Sequence, residues 1–581
     1  MPSPAPPSSP FPVPATPPTG ATPRKLAAPH RRLRAACLSG IALSVGLATG
    51  AAIAGPVSVP DFTPPAAPAG DLLPALQIPL DSQPDALAAG LAVAVHRVAI
   101  RGNSVLPAAR LDTIAADYRG RELTLGDLYA LRDALTAAYQ AAGYVSSGAL
   151  LDEPPIIAGV VQLRIVEGRL DQIRVRSDGR FRADYFESRL RASGAVVNLH
   201  ALEERLQRFE RDPRIASVNA RLLPGESRGL ADLELAVRER PPWRAELRLA
   251  NDASPSVGSE TLQLRASHLN PAGVGDRFDA ALRAAQGLAE VSLDYARPLA
   301  ADDRSLAVYL RGSRSEVVDA VFAPLQIESR SATVGARFGL PLRRAGGERL
   351  DLSLATEYRR SDAFLLGTGF SFSPGPEQGV AKIAALRLSL DWSRRGAGRA
   401  LSASSRLSLG LDALGATAHP GDAPDGQFLA WLGRIQWAER LDWLDSTLVV
   451  RGDLQLSDSA LLGMEQFAIG GAASLRGYRE NTLLRDEGAL ASLEWRVPLP
   501  TEAAGHWQIA PFVDAGYGRR RARPNSGPRD LSSVGLALYW RAGESFSARL
   551  ALAHALRDIE AQGEEDVQDE GVHFALQTSW P

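Results

Sequence analysis

From Trp243 to Pro581 apolar and polar residues alternate almost without interruption, and few folds accept that pattern over roughly 340 residues. "WRAELRLA" places Trp243, Ala245, Leu247 and Leu249 on one face and Arg244, Glu246 and Arg248 on the other, the two-residue period of a strand. The same alternation returns in "EVSLDYARPL", "SLAVYLRG", "RLDLSLATEY", "LRLSLDWSRR", "SVGLALYWR" and "GVHFALQTSW". Breaks rich in Gly, Pro, Asp and Asn divide the stretch into about sixteen segments of about twenty residues each, the length of a tilted membrane strand plus its connection. Charges confined to one face predict a transmembrane β-barrel, lipid outside and water inside. Soluble sandwiches and β-helices alternate too, but the even segment count, the lack of a short regular repeat and an export signal favour the barrel. Aromatics at segment ends (Trp243, Tyr295, Trp392, Tyr539, Trp540) are expected in the interfacial girdles. The last segment ends in Trp580, followed by Pro581.

Residues 1–54 read as a Pro-rich leader plus signal peptide. Lys25, Arg31, Arg32 and Arg34 precede an apolar stretch that ends in Ala52-Ile53-Ala54, and cleavage is expected after Ala54. The stretch is Ala/Gly-rich rather than Leu-rich, unlike a membrane anchor. Cleavage would remove Cys37, the one cysteine of the 581 residues, and with it any thiol or disulfide chemistry. Residues 55–94 form a Pro/Ala-rich linker with at most one short helix, near Asp85 to Leu91, as a candidate plug. Lys plus Arg number 64 against 66 Asp plus Glu, a balance that argues against nucleic acid as partner.

Between linker and barrel an order β-α-α-β-β occurs twice, at 95–168 and 169–241. A repeated unit of about seventy-five residues predicts two small α+β domains. Each has an open sheet edge able to accept an extended peptide.

The long segment 458–487, between the eleventh and twelfth strands, contains "GGAASLRGY"; "FVDAG" (Phe512 to Gly516) follows one strand after the next, and "NPAGVGD" (Asn270 to Asp276) lies early in the barrel. With two small domains ahead of a barrel at 242–581, the mature chain resembles the two-partner secretion transporters of the Omp85 superfamily, the haemolysin secretion/activation type. The resemblance implies that the small domains are POTRA domains in the periplasm and that the barrel sits in the bacterial outer membrane, in contact with its lipid. It implies that the chain secretes, or also activates, a large exoprotein whose N-terminal secretion domain the POTRA domains capture unfolded. It implies too that the 458–487 loop folds into the lumen through Leu475, Arg476, Gly477 and Tyr478. An outer-membrane insertase is the alternative, though such relatives usually carry three or more POTRA domains; a diffusion porin is a third reading.

The residues support this independently. In the strand opening at Trp507, Ile509, Val513 and Ala515 face lipid and Phe512, Asp514 and Gly516 face the lumen by parity. A carboxylate on a barrel wall needs a partner. Arg476, at the loop tip, can bind one through two parallel hydrogen bonds. Glu494, inward by the same parity in "ALASLEWRV", ranks second after Asp514. Gly477 permits a tight turn, Gly516 leaves room beside Asp514, and Tyr478 packs its ring on the wall. In water-filled surroundings the pair would contribute about 0–1 kcal/mol, rising if it is desolvated. There is no H-E-x-x-H, no G-x-S-x-G and no G-x-x-x-x-G-K-[ST], so neither catalysis nor a nucleotide is expected. The acidic loop His419 to Gln427 has oxygen ligands of the calcium type but reads as a solvated loop, and no cofactor or metal is expected.

Overall fold

The computed structural model describes residues 92–581 apart from 192–195, 300–301, 346, 501–504, 522–526 and 561–562. The expected leader, the cleavage after Ala54 and the short helix near Asp85 to Leu91 lie outside the described residues.

The first periplasmic unit contains β1 (Val93–Val95), β2 (Arg97–Arg101), α1 (Ala108–Ala116), β3 (Arg121–Leu123), α2 (Leu125–Ala141), β4 (Gly148–Ile157) and β5 (Val160–Val166). Helix α2 starts where Thr124 and Asp127 exchange hydrogen bonds, the Asp127 amide to Thr124 Oγ1 at 3.2 Å and the Thr124 amide to Asp127 Oδ2 at 2.8 Å. This reciprocal cap satisfies two amides that the helix itself leaves bare. Its Leu128, Leu131, Leu135 and Tyr139, spaced by three and four residues, bury against Val161, Leu163 and Ile165 of β5. The sheet order is β2-β5-β4, with β2 parallel and β4 antiparallel to β5. A small β1–β3 ladder is an addition that the repeat did not foreshadow.

The second unit repeats the plan with β6 (Arg169–Ser177), α3 (Ala183–Arg191), α4 (Leu199–Glu210), β7 (Ile215–Pro224) and β8 (Leu230–Glu239), in sheet order β6-β8-β7. Asn198 joins the two units: its Oδ1 caps α4 at the Ala201 amide (3.2 Å) and its Nδ2 donates to the Ala142 carbonyl of the first unit (3.0 Å). Phe181, Phe186, Leu190, Leu206, Phe209 and Leu233 form its core.

Trp243 then begins a closed antiparallel barrel of sixteen strands, the sixteenth (Val572–Trp580) pairing with the first (Trp243–Ala250) from Ala575↔Ala250 to Trp580↔Ala245. Closure leaves no free strand edge. Leu249, Leu264, Leu310, Val334, Leu388 and Leu536 are exposed on the outside. A band of that kind belongs in lipid. Odd strands start, and even strands end, on the side of the periplasmic units. Trp243, Tyr295, Trp392, Trp443, Trp507, Trp540 and Trp580 therefore gather at that rim. There Trp443 stacks on Trp495 (centroids 4.7 Å apart) and Trp507 on Trp540 (5.1 Å). Tyr539 corrects the expected girdle: it turns into the lumen, because its neighbour Trp540 takes the lipid-facing parity.

"NPAGVGD" forms the turn between the second and third strands, and the second periplasmic unit docks on it. Arg180 donates to the Pro271 carbonyl (2.7 Å) and the Asn270 carbonyl (3.3 Å), the Arg182 amide to the Gly273 carbonyl (2.8 Å), and Arg214 to the Gly275 carbonyl. Burial works against the Arg214 charge, but Asp212, bonded to it at 2.5 Å, holds its pKa above the ordinary arginine value. Asp276 stiffens the turn by accepting from the Ala272 amide (3.1 Å) and the Tyr295 hydroxyl (2.9 Å).

Candidate functional site: a loop held inside the barrel

The eleventh strand (Ser446–Ser457) and the twelfth (Glu487–Leu499) are adjacent in the barrel, so two residues would suffice to join them. The chain instead inserts the segment 458–486, and its tip lies against the wall. Two short strands, Phe467–Ile469 and Leu483–Arg485, pair as a hairpin. Within it Glu480 accepts from the Ala472 amide (2.7 Å) and staples the tip into a compact unit. Phe467, Ile469, Leu475, Tyr478 and Leu483 bury against Leu490 and Leu531 of the wall.

Arg476 sits at the centre. Its Nε and Nη2 donate to Asp514 Oδ2 and Oδ1 at 2.7 and 2.8 Å, a bidentate fork, and its backbone amide adds a third bond to Oδ2 at 3.1 Å. Nη1 donates to Glu494 Oε2 at 2.5 Å. Glu494 ranked as a substitute for Asp514, but both carboxylates bind, because antiparallel register sets Glu494 of the twelfth strand opposite Phe512 and Ser492 opposite Asp514 of the thirteenth (His506–Arg519). The two carboxylates thus converge on the one guanidinium, which also lies 3.3 Å from the centroid of the Phe512 ring.

Around this core stand residues that the sequence reading missed. Ser492 donates to Asp514 Oδ1 (2.6 Å), Arg496 donates to Glu494 Oε1 (2.6 Å), and the Tyr539 hydroxyl donates to the same oxygen (2.7 Å). Ser492 and Arg496 share the parity of Glu494 and were within reach of that argument. Tyr539 and His573 were not, being brought in by other strands. Two arginines and two carboxylates leave the cluster neutral. Arg476 is 4% exposed, Asp514 1%, Glu494 5% and Arg496 2%, so of the two surroundings considered for the pair the desolvated one is found. A dry group of this kind, in which Arg496 Nη1 has no hydrogen-bond partner among the described residues, is little more stable than an apolar contact, but removing one member strands the others and costs about 3–5 kcal/mol.

The flanking motif residues each make defined contacts between loop and wall. Leu475 is fully buried and lies against Gly516, where a Cβ would come within 2.9 Å of Leu475 Cδ1. Gly477 has φ +90°, and its amide donates to His573 Nε2 at 3.1 Å. That acceptor role requires the neutral His573 tautomer with the proton on Nδ1. The Tyr478 hydroxyl donates to the Ser532 carbonyl at 2.9 Å. Phe512 provides the aromatic floor beneath Arg476. Outside the motif, Arg479 binds Asp569 (2.5 Å), and Gln568 accepts from the Glu480 amide (2.9 Å), so the last extracellular loop holds the hairpin from above. Among the described residues no cluster of His, Cys, Asp and Glu has the arrangement of a metal site.

Comparison with known proteins agrees with this architecture. Residues 229–542 match the family described as haemolysin secretion/activation protein ShlB/FhaC/HecB, and residues 93–168 match the POTRA domain of ShlB type. The outer membrane transporter CdiB of Escherichia coli O6:K15:H31 (strain 536 / UPEC) is 25% identical over 421 residues, 68% of this chain and 67% of that protein. The heme/hemopexin transporter protein HuxB of Haemophilus influenzae (strain 86-028NP) is 22% identical over 479 residues, 78% and 82% of the two chains. The solved structure of CdiB from Escherichia coli shares the fold with a TM-score of 0.60 at 20% identity, covering 86% of this chain and 93% of that one. With its matched barrel, its POTRA domain and its sixteen closed strands, the chain belongs to the ShlB/FhaC/HecB family of haemolysin secretion/activation proteins, outer-membrane transporters whose POTRA domains lie in the periplasm.

Proposed function

We propose that the chain secretes a large partner exoprotein by a cycle in which the POTRA units, 95–168 and 169–241, take up its N-terminal secretion domain and the Arg476 loop yields to let it pass unfolded through the lumen. The observation that carries the reading is the position of the loop. A porin loop that narrowed a pore would need no buried four-charge cluster on the wall, whereas an element that must be held firmly and then released does. Sheet edges at β4 and β7 offer backbone groups to an extended segment. The cycle involves outer-membrane lipid around the barrel, no nucleic acid, no nucleotide and no chemical reaction, so Leu475, Arg476, Gly477, Tyr478, Phe512, Asp514, Gly516 and Glu494 act by position alone. An insertase is the weaker alternative, since the family match is to secretion proteins and two POTRA-type units precede the barrel. The test is Arg476→Ala in cells that make the partner exoprotein. The variant is expected to reach the outer membrane with the heat-modifiable gel mobility of an intact barrel, and to secrete poorly. Wild-type secretion by that variant would remove the loop from the mechanism.

A further inference from the structure

A second ionic cluster holds the same loop at its other end. Glu465, in the turn before the hairpin, accepts from Arg359 Nη1 (2.7 Å) and Arg387 Nη2 (2.8 Å) on Oε1 and from Arg387 Nη1 (3.1 Å) on Oε2. Arg359 also reaches the Met464 carbonyl (3.1 Å). Arg387 bonds Glu357 and the Ser408 hydroxyl (2.9 Å), and the Tyr309 hydroxyl donates to Glu357 (3.1 Å). These wall residues belong to the fifth, seventh, eighth and ninth strands (Ser305–Glu316, Glu348–Leu365, Val380–Arg395 and Arg399–Leu411). The Arg476 cluster lies on the twelfth, thirteenth and fourteenth (Asp530–Ala542), well round the ring. Leu461, Leu462 and Met464 bury beside the root cluster against Ile383, Ala385 and Phe428. Root and tip therefore have separate apolar seats and separate charge clusters. The narrow neck between them is Gln466 and Asp486, where Gln466 Nε2 donates to Asp486 Oδ1 (2.9 Å).

We propose that Glu465 is a positioning residue that keeps the loop root on the wall while the hairpin 467–485 swings away from Asp514 and Glu494, so that the lumen opens by a hinged flap and not by withdrawal of the whole loop. Three charge-assisted bonds on one carboxylate, in a site closed by apolar side chains, give the root a stronger hold than its length requires. The hairpin's own ladder and the Glu480 staple let the tip move as one body. The inference deepens the proposed function by saying which part of the loop moves, and it is tested without any cargo.

The full chain with Cys37→Ser is studied in planar lipid bilayers in potassium chloride. Arg476→Ala is expected to raise the open probability by on the order of a hundredfold or more, up to saturation, by freeing the tip. Asp425 and Leu461 are bridged β partners, within disulfide reach, so Asp425→Cys with Leu461→Cys pins the root when oxidised. In the Arg476→Ala background the oxidised pair is expected to conduct as the reduced pair does. Adding Glu465→Gln instead is expected to give a second, larger conductance step, which oxidation of the cysteine pair abolishes, while Glu465→Asp retains the single step. Loss of the Arg476→Ala openings on oxidation, with recovery on reduction, would overturn the hinge, as would a Glu465→Gln variant without the larger step or an Arg476→Ala variant that stays closed. Wild-type secretion by Arg476→Ala with these conductances intact would count against the proposed function and leave the hinge standing.

Discussion

The tip and the root of the loop use the same two chemical groups with the polarity reversed. At the tip the arginine belongs to the loop and the carboxylates to the wall: Arg476 against Asp514 and Glu494. At the root the carboxylate belongs to the loop and the arginines to the wall: Glu465 against Arg359 and Arg387. The charged side chains of both sites are buried. The reversal matters because a thirty-residue segment in a wide lumen has many ways to lie. Arg476 placed at the root seat would meet two cations, and Glu465 at the tip seat two anions, and each mismatch is disfavoured without water to screen it. Alternating signs thus specify a single placement more effectively than two apolar patches would.

Charge reversal is the strongest way to break that comparison. Arg476→Glu sets three carboxylates together, and Glu465→Arg three guanidinium groups. Each is expected to undock its end of the loop by more than the roughly 3–5 kcal/mol of a simple deletion. Limited proteolysis of assembled barrels should cut the hairpin in the first variant and the root near Leu461 in the second. Protection of both in either variant would show that the apolar seats alone hold the loop.

A smaller effect separates the two ends by backbone. Gly477 has φ +90°, and a Cβ there would lie 3.1 Å from that of Ala553, so Gly477→Ala should weaken tip docking by about 1–2 kcal/mol of strain. At the root, Gly463 has open space where a Cβ would stand, and Gly463→Ala should be neutral or stabilising by up to about 1 kcal/mol. The comparison is read from the open probability in bilayers, expected to rise for the first and not for the second. The smallest effect comes from the supporting hydroxyls. Ser492→Ala removes one bond to Asp514 and a longer one from Arg476 (3.2 Å) at the tip, and Ser408→Ala one bond to Arg387 at the root. Each should cost about 0.5–1.5 kcal/mol, seen as a modest, matched increase in protease sensitivity at its own end only.

Much of this was legible along the chain. Side chains on a strand alternate sides whatever the strand pairs with, so the inward aim of Asp514, Phe512, Gly516 and Glu494 follows from local parity, as does the outward aim of Val513 and Leu493. The Gly, Pro, Asp and Asn breaks between alternating runs yield the number of strands, and the helical period of α2 with its Thr124 cap marks a helix inside the first repeat before any sheet is drawn. These are properties of neighbouring residues in a chain of L-amino acids.

Which residues meet across the lumen is a different kind of fact. Glu465 lies 106 positions from Arg359 and 78 from Arg387, and their meeting depends on the ring closing with sixteen strands and on where the loop crosses it. Tyr539 carries the composition of a girdle residue and became a ligand of Glu494 because its strand pairs with the thirteenth in one register. Burial of the Arg476 cluster depended on apolar packing by Leu475 and Tyr478 of the loop tip against Leu531 of the fourteenth strand. The sequence by itself determined the strands, their faces and their number, through interactions a few residues long. Only the closed tertiary structure decided the partners and the dryness of the two charge clusters, because both follow from long-range closure that no short stretch of sequence encodes.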